Sequence, residues 1–418
     1  MAIQLTNVTN ALQKVIMPYI QDNFNKQTVL LDQVKRNTGV TFMNDNFYAP
    51  VRTSRHGGVV NLANDGNSLV SGKSSIGQAS VGVKILTGTF DISKLVLDAT
   101  KTAKGAVENQ LTFQASSLAS DFAKNVNRQY FSDGYGVIAE VLGSVSASVI
   151  SVQLPSALGA SVNDARIKDV YGTVNGDISP TEYIFPDQVL GFGSAYGSGV
   201  GTVSSVTGTS VTLTAAIPAN VVGSAVITLL DGSGAGGGTS EIQGVRLALS
   251  SSTADYAGVA RSSQGWTPQL GTATGALTLS AIESVYLSAR KFAQMGDQYA
   301  IFMNKTLYKK YGDLLTALRR TVNETELLGG WSGLEFAAGA GKVGVFLDYD
   351  VPDGEVIVIN LDSWTICQVS DMGWLEDVRE GALFRRSDKI TYQATMAWFT
   401  NLLCRAPGAN GRLTQKTG

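Results

Sequence analysis

NFYAPVRTSRHGGVVNLANDGNSLVSGKSSIGQASVGVKILTGTF, residues Asn46 to Phe90, is the stretch on which the reading of this chain turns. It is rich in Gly, Ser and Val and holds few large apolar side chains. In its second half Val81, Val83, Ile85, Thr87 and Thr89 share one face, with Gly82, Lys84 and Gly88 on the other, which is the spacing of a strand. Its middle, Ala63 to Gly77, consists of turn formers with almost nothing to bury. The stretch therefore reads as an extended two-stranded hairpin with a loose tip. Ordering its ~45 residues costs roughly 1 kcal/mol each in backbone entropy, and an isolated hairpin does not recover that. The arm is expected either to be disordered or to lie on another subunit.

Working outward, Thr102 to Tyr130 carries Val107, Leu111, Ala115, Leu118, Phe122, Val126 and Tyr130 at steps of three and four. That stripe predicts one helix of about 40 Å, the spine of a domain. Asp133-Gly134 supplies its stop. Ahead of the arm, Val8 to Arg36 is partly helical, with Leu12, Val15, Ile16 and Tyr19 on one face and a kink at Pro18. Leu30, Leu31 and Val34 add a small apolar cluster, too little for a separate domain.

From about Ser144 to Ser240 the composition changes. The charged residues are only Arg166 and Lys168 against Asp164, Asp169, Asp177, Glu182, Asp187 and Asp231. Short alternating runs recur, and GVGTVSSVTGTSVTLTAA signals a hairpin turning at Thr207-Gly208. A small β-barrel or sandwich inserted into a larger domain is predicted, leaving through the glycine linker DGSGAGGGTS. Leu277 to Gly296 then reads as a helix opened by a Ser280–Glu283 capping box, with a stripe of Ile282, Val285, Tyr286, Ala289, Phe292 and Ala293. A strand at Tyr299–Met303 leads through Asn304 into a second helix bearing Leu307, Tyr311, Leu314, Leu315 and Leu318. VGVFLDYDV, GEVIVINL and KITYQATMAWFTNLL follow as strands, giving an α+β chain overall.

The 418 residues suffice for two or three domains with cores. Apolar residues make up 44% and charged ones only 16%, which fits a globular chain with much covered surface. The balance of 32 basic against 34 acidic residues gives no global pull toward nucleic acid or membrane. Cys367 and Cys404 sit in apolar runs and read as reduced packing residues. MAIQLTNVTNALQ lacks a basic start and an apolar core, so a reducing cytoplasm, or something assembled there, is the expected compartment. No apolar run reaches the ~18 residues of a membrane span.

Catalytic chemistry finds no footing. The single histidine, His56, lies in the arm beside Gly57-Gly58 and reads as an exposed loop residue. One His and two separated Cys make no tetrahedral metal set. GFGSAYGSGVG lacks the GK[ST] of a phosphate loop and is followed by β runs. Asp348 to Gly354 has the look of a calcium loop, but Ile359 stands where the closing Glu belongs, so Pro352-Asp353-Gly354 reads as a turn between strands. No enzyme and no cofactor is expected.

The order of elements resembles the major capsid protein of tailed double-stranded DNA bacteriophages, the Hong Kong 97-type fold shared with encapsulins. GTFDISKLVLDAT running into the 102–130 helix is similar to that family's join of hairpin arm and spine helix. EIQGVRLALSSSTADYAGVARSSQGWTPQL is similar to its Tyr-Ala-Gly-x-x-Arg-Ser segment, and GKVGVFLDYDVPDGEVIVINLDSW to its later strand–turn–strand. The resemblance implies an N-terminal arm at 1–45, an E-loop hairpin at 46–90, a peripheral domain at 91–143 with its spine helix at 102–130, a β-rich insertion at 144–240, and an axial domain with return strands at 241–418. It also implies hexamers and pentamers of an icosahedral or prolate head enclosing double-stranded DNA, assembled in the host bacterial cytoplasm. A separate scaffolding protein (or numbering that begins after processing), a portal and decoration proteins would be partners, with no membrane. Some relatives cross-link a Lys to an Asn between subunits; Lys73 is in the arm, with neither partner nor catalytic Glu identified. An encapsulin-type cargo shell is the alternative within the fold, and a β-rich adhesin or carbohydrate-binding protein the alternative outside it. Arg52, Arg55, Lys73 and Lys84 are the candidate inter-subunit contacts. The acid-free tail with Lys389, Arg405, Arg412 and Lys416 is a candidate DNA-facing surface.

Overall fold

The computed structural model describes residues 30, 33–61, 71–95, 104–143, 148–154, 175–193, 199–216, 225–229, 241–251, 253–317, 324–327, 331–338, 341–375, 384–385 and 390–418. The chain divides into two compact units. Their described parts are 83–128 with 368–401, and 34–82 with 129–367 and 402–418. Tip residues 62–70, the segment 8–29, Leu31, Leu318 and the DGSGAGGGTS linker lie outside the described residues, as do the side chains of Val107 and Leu111.

In the first unit the predicted spine helix runs from Lys104 to Phe131. Ala115, Ala119, Phe122, Ala123 and Val126 are buried and Leu118 is half-buried, so the period-3.6 stripe is the packed face. Strand Lys84–Ser93 pairs antiparallel with Thr391–Cys404 over ten residue pairs, from Lys84↔Thr400 to Ser93↔Thr391. Gly88 lets strand and helix approach: a Cβ there would lie 2.8 Å from Leu118 Cδ1. Phe90 meets Trp374 edge-on at 5.7 Å.

The alternation read across Val81–Thr89 is not one strand. Ile76–Gly82 and Lys84–Ser93 are separate strands, broken at Val83. In the first, Ala79 and Val81 are buried; in the second the odd positions face water, with Ile85 61% exposed. Inserting one unpaired residue exchanges faces, because the side-chain period of a strand is two.

In the second unit the hairpin pairs Asn46–Arg52 with Ile76–Gly82, in register from Asn46↔Gly82 to Arg52↔Ile76, and Thr41–Met43 adds a third strand. Phe47, Ala49, Val51, Ala79 and Val81 form its buried face. The Ser80 N–H donates to the Ala257 carbonyl at 2.8 Å and the Gln264 N–H to that of Thr53 at 3.3 Å. The base of the arm is therefore held by its own chain, which corrects the choice between disorder and another subunit. The burial that the arm sequence lacks is supplied by residues about 180 positions later, beyond the reach of local patterning.

The inserted β structure is a closed six-stranded barrel, ordered 226–229, 137–141, 149–153, 210–213, 199–207 and 189–193. Its core is Ile138, Val141, Ile150, Val152, Ile184, Leu190, Phe192, Val203, Val211, Leu213 and Ile227. Closure leaves no sheet edge. The first strand, Val137–Val141, lies upstream of Ser144, and the 199–213 hairpin turns on Gly208-Thr209, with Gly208 at φ 59°.

A seven-stranded mixed sheet follows, ordered 269–271, 411–413, 356–360, 299–303, 341–347, 331–338 and 324–327. Helices Leu279–Arg290 and Lys305–Ala317 cover it, burying Ile282, Val285, Tyr286, Ala289, Leu307, Tyr311 and Leu315 against Tyr299, Ile301, Val345 and Val358. The expected Ser280–Glu283 capping box is not the cap. Thr278 Oγ1 accepts from the Ala281 N–H at 3.2 Å, and Ser280 and Glu283 are exposed. The helix starts earlier than the S-x-x-E spacing suggests, because Leu277 is anchored in the core.

Gly88→Val is expected to push Leu118 out of place and destabilise the first unit by about 1–3 kcal/mol, read as a lower urea midpoint.

Candidate assembly surfaces

Short hydrogen bonds join the barrel to the sheet domain. Asp177 accepts from the Thr306 N–H at 3.0 Å and the Thr306 hydroxyl at 2.6 Å, placing a carboxylate at the start of helix Lys305–Ala317. Asp353 accepts from the N–H groups of Asn175 and Gly176 at 2.8 and 2.9 Å, and the Tyr183 hydroxyl donates to Asp350. The acidic run 348–354 is thus a tether and a turn, with Gly354 at φ 71°. Among the described residues, no group of three His, Cys, Asp or Glu side chains is placed to hold a metal ion.

Glu355, 1% exposed, lies between two guanidinium groups. Arg246 donates to its carboxylate at 3.0 Å and Arg412 at 3.3 Å. Arg412 comes from the acid-free tail, and Lys416, also buried, donates to the Ala273 carbonyl at 2.6 Å. This corrects the tail as a DNA-facing candidate at those two positions. Its missing counter-charge is Glu355, far away in sequence.

Burial holds the Asp133 carboxyl above the usual carboxylate range, against the opposing pull of Arg246. Burial likewise pushes the Cys367 and Cys404 thiols up to about 12, so neither is a nucleophile near neutrality. Both cysteines are free and buried.

The four predicted contact residues fall in different settings. Arg52 ends strand Asn46–Arg52, exposed, its Nε donating to the Ser54 carbonyl at 3.0 Å. Arg55 is exposed four residues before Val59. Arg52 and Arg55 together line a groove of about 690 Å³. Lys73 is exposed on the returning limb and does not line it. Lys84 belongs to the other unit, half-buried opposite Thr400, and burial lowers its pKa. It is a strand residue rather than a free surface cation. Lys291, which the sequence reading did not single out, and Arg405, read there as part of a DNA-facing tail, join the arginines in the groove. Their positions in the chain gave no signal of this, since only folding brings them to the base of the arm. His56 is exposed, its Nδ1 accepting from the Gly58 N–H at 3.1 Å.

The outer face of the hairpin sheet is open and mixed, with apolar Met43, Tyr48, Pro50 and Ile76 set among Asn46, Arg52, Gln78 and Ser80. Ile76 is 77% exposed and Met43 56%, and with Tyr48 and Pro50 they line a shallow hollow of about 480 Å³. Phe42, although partly exposed, lies on the other face, its ring 5.1 Å from that of buried Phe47. One side of the sheet is thus packed on its own chain and the other is not.

No protein-family model matches the chain, and no curated protein matches it. Among solved structures, the capsid asymmetric unit of cyanophage A-1(L) is similar at 12% identity, covering 93% of this chain and 92% of that one, with a TM-score of 0.48. The capsid of Myoviridae phage XM1 is similar at 11% identity, 93% and 91% coverage and a TM-score of 0.42. A virus-like particle from Pyrococcus furiosus is similar at 9% identity, 95% and 96% coverage and a TM-score of 0.37.

Glu355→Gln would remove the carboxylate that two buried guanidinium groups share. It is expected to cost about 3–5 kcal/mol, measured by urea unfolding. Because the native Asp133 carboxyl holds its proton more tightly than the unfolded chain does, its contribution to stability falls as pH rises above the ordinary carboxylate pKa. Asp133→Asn should flatten that slope in urea titrations between about pH 4 and pH 7.

Proposed function

We propose that this chain is a shell-forming major capsid protein of the Hong Kong 97 type, with an inserted β-barrel. In this reading it self-assembles into hexamers and pentamers of an icosahedral or prolate phage head enclosing double-stranded DNA. The segment 1–45 is the N-terminal arm, 46–90 the E-loop region, 91–143 the peripheral domain, 144–240 the body of the insertion, and 241–418 the axial domain with its return strands. A scaffolding protein, a portal and decoration proteins complete the particle, which assembles in the host bacterial cytoplasm.

The observation that carries the reading is the pair of large apolar side chains that the hairpin holds in solvent, Ile76 at 77% exposure and Met43 at 56%. A three-stranded sheet anchored on one side, with exposed apolar groups on the other, fits a partner that covers them. In a shell that partner is a second copy. Individually weak contacts then hold collectively, because each copy is tied at several interfaces at once. The buried tethers and unreactive thiols suit a mechanical role rather than catalysis.

Size-exclusion chromatography and negative-stain microscopy of the purified chain test this directly. Closed megadalton shells are expected, and a small soluble species alone overturns the reading. Ile76→Asp, at a solvent-facing position, should change stability by no more than about 0.5 kcal/mol yet abolish closed particles. Normal particles from that variant would remove the hairpin face from the assembly.

A further inference from the structure

The groove at the base of the arm has an unusual lining. Arg52, Arg55, Lys291 and Arg405 supply four cations, and among the described residues lining it there is no Asp or Glu. Its apolar parts are Val59, Phe292, Met295 and Trp266, with the Lys291 ammonium 5.7 Å from the centre of the adjoining Phe292 ring. Four cations around one concavity, with no acid in its described lining, favour an anionic occupant. The aromatic and thioether surface asks that occupant for an apolar group as well.

The barrel carries a feature of the complementary kind. Residues 181–188, TEYIFPDQ, form a stiff knob. The Ile184 N–H donates to the Thr181 carbonyl at 3.1 Å, the Asp187 N–H to that of Val203 at 2.9 Å, and the Phe185 N–H to Gln188 Oε1 at 3.0 Å. Ile184 is buried in the barrel core, and the Tyr183 hydroxyl is tied to Asp350. Phe185 is left 58% exposed, flanked by the exposed carboxylates of Glu182 and Asp187. No Lys or Arg occurs between Lys168 and Arg246, so no cation of the surrounding segment offsets these acids. Such a preordered projection has little entropy left to lose on binding.

We propose that the knob at 182–187 of one copy seats in the cationic groove of a second copy, Phe185 against Phe292 and Met295, with Glu182 and Asp187 among Arg52, Arg55, Lys291 and Arg405. The knob does not line the groove of its own chain, so the contact is made between copies. This gives the inserted barrel an assembly role: it is the acidic half of a lock whose basic half is the arm base. The inference rests on the shell-forming reading above.

A charge-swap series tests it. Arg55→Glu with Lys291→Glu places two acids in the groove, and Glu182→Lys with Asp187→Asn removes the acids of the knob; Asn holds the left-handed backbone at 187 (φ 65°) as Asp does. Each pair is expected to lower shell yield by about tenfold or more while leaving far-ultraviolet circular dichroism and the urea midpoint of the subunit unchanged. All four changes in one chain should restore yield to within about threefold of the unaltered protein, the signature of a direct pair. Failure of that rescue, or full yield from either pair alone, overturns the proposal while the shell-forming reading stands. If the unaltered chain forms no shells, that reading falls first. Duplex DNA binding that is lost in Arg55→Glu/Lys291→Glu, with shell yield intact, assigns the groove to nucleic acid and also overturns the proposal.

Discussion

The carboxylate of Glu355, held between Arg246 and Arg412, is the interaction that the larger unit depends on. It binds three stretches that lie far apart in the chain: the segment after the barrel, the start of strand Val356–Asn360, and strand Gly411–Leu413. Replacing such a cluster by apolar groups is often neutral, so its worth is better sought in specificity than in stability. Its three charges meet at one point of the fold. A misplaced strand Gly411–Leu413 would take Arg412 away from that carboxylate. Helix Val245–Ala248 and strand Gly411–Leu413 are thereby tied to one carboxylate at the start of strand Val356–Asn360.

The arm obeys a different constraint. Its strands cannot bury enough surface for themselves, yet Phe47, Ala49 and Val81 are buried and the backbone of Ser80 and Thr53 is bonded to Ala257 and Gln264. Past Val83 the backbone leaves the hairpin and enters a separate sheet through its ten-pair ladder with Thr391–Thr400. The arm base is thus held from the start, while its outer face still carries Ile76 and Met43 into solvent. A surface of that kind is preorganised for association, because the entropy of folding it has already been met within the subunit.

Much of this was legible in the sequence. The spine helix followed from a seven-member stripe, the two later helices from theirs, and the barrel from short alternating runs with few charges. What escaped was non-local. The face exchange at Val83 is invisible because Val81, Val83 and Ile85 continue one alternation whether or not the strand is broken. The helix cap at Thr278 was masked by a better-looking Ser280–Glu283 spacing. Arg412 and Lys416 looked like surface charge because their partners, Glu355 and the Ala273 carbonyl, are distant in the chain. Arg52 and Arg55 were visible as cations in an acid-poor stretch and Arg405 as one of an acid-free tail, but nothing local joined them to each other or to Lys291.

The low charge content makes the remaining ions informative. Only 16% of residues are charged, and several are already committed inside the fold: Arg246 and Arg412 to Glu355, Lys416 to a carbonyl, Asp177 to a helix start, Asp353 to two backbone amides. Isolated surface ions are ordinarily solvated and of little energetic consequence. Four cations gathered from three distant segments around one concavity are a different matter, because its described lining holds no Asp or Glu. An acidic aromatic projection elsewhere on the same chain supplies the opposite sign when two copies meet. Complementary charge of that kind favours association in one orientation rather than another.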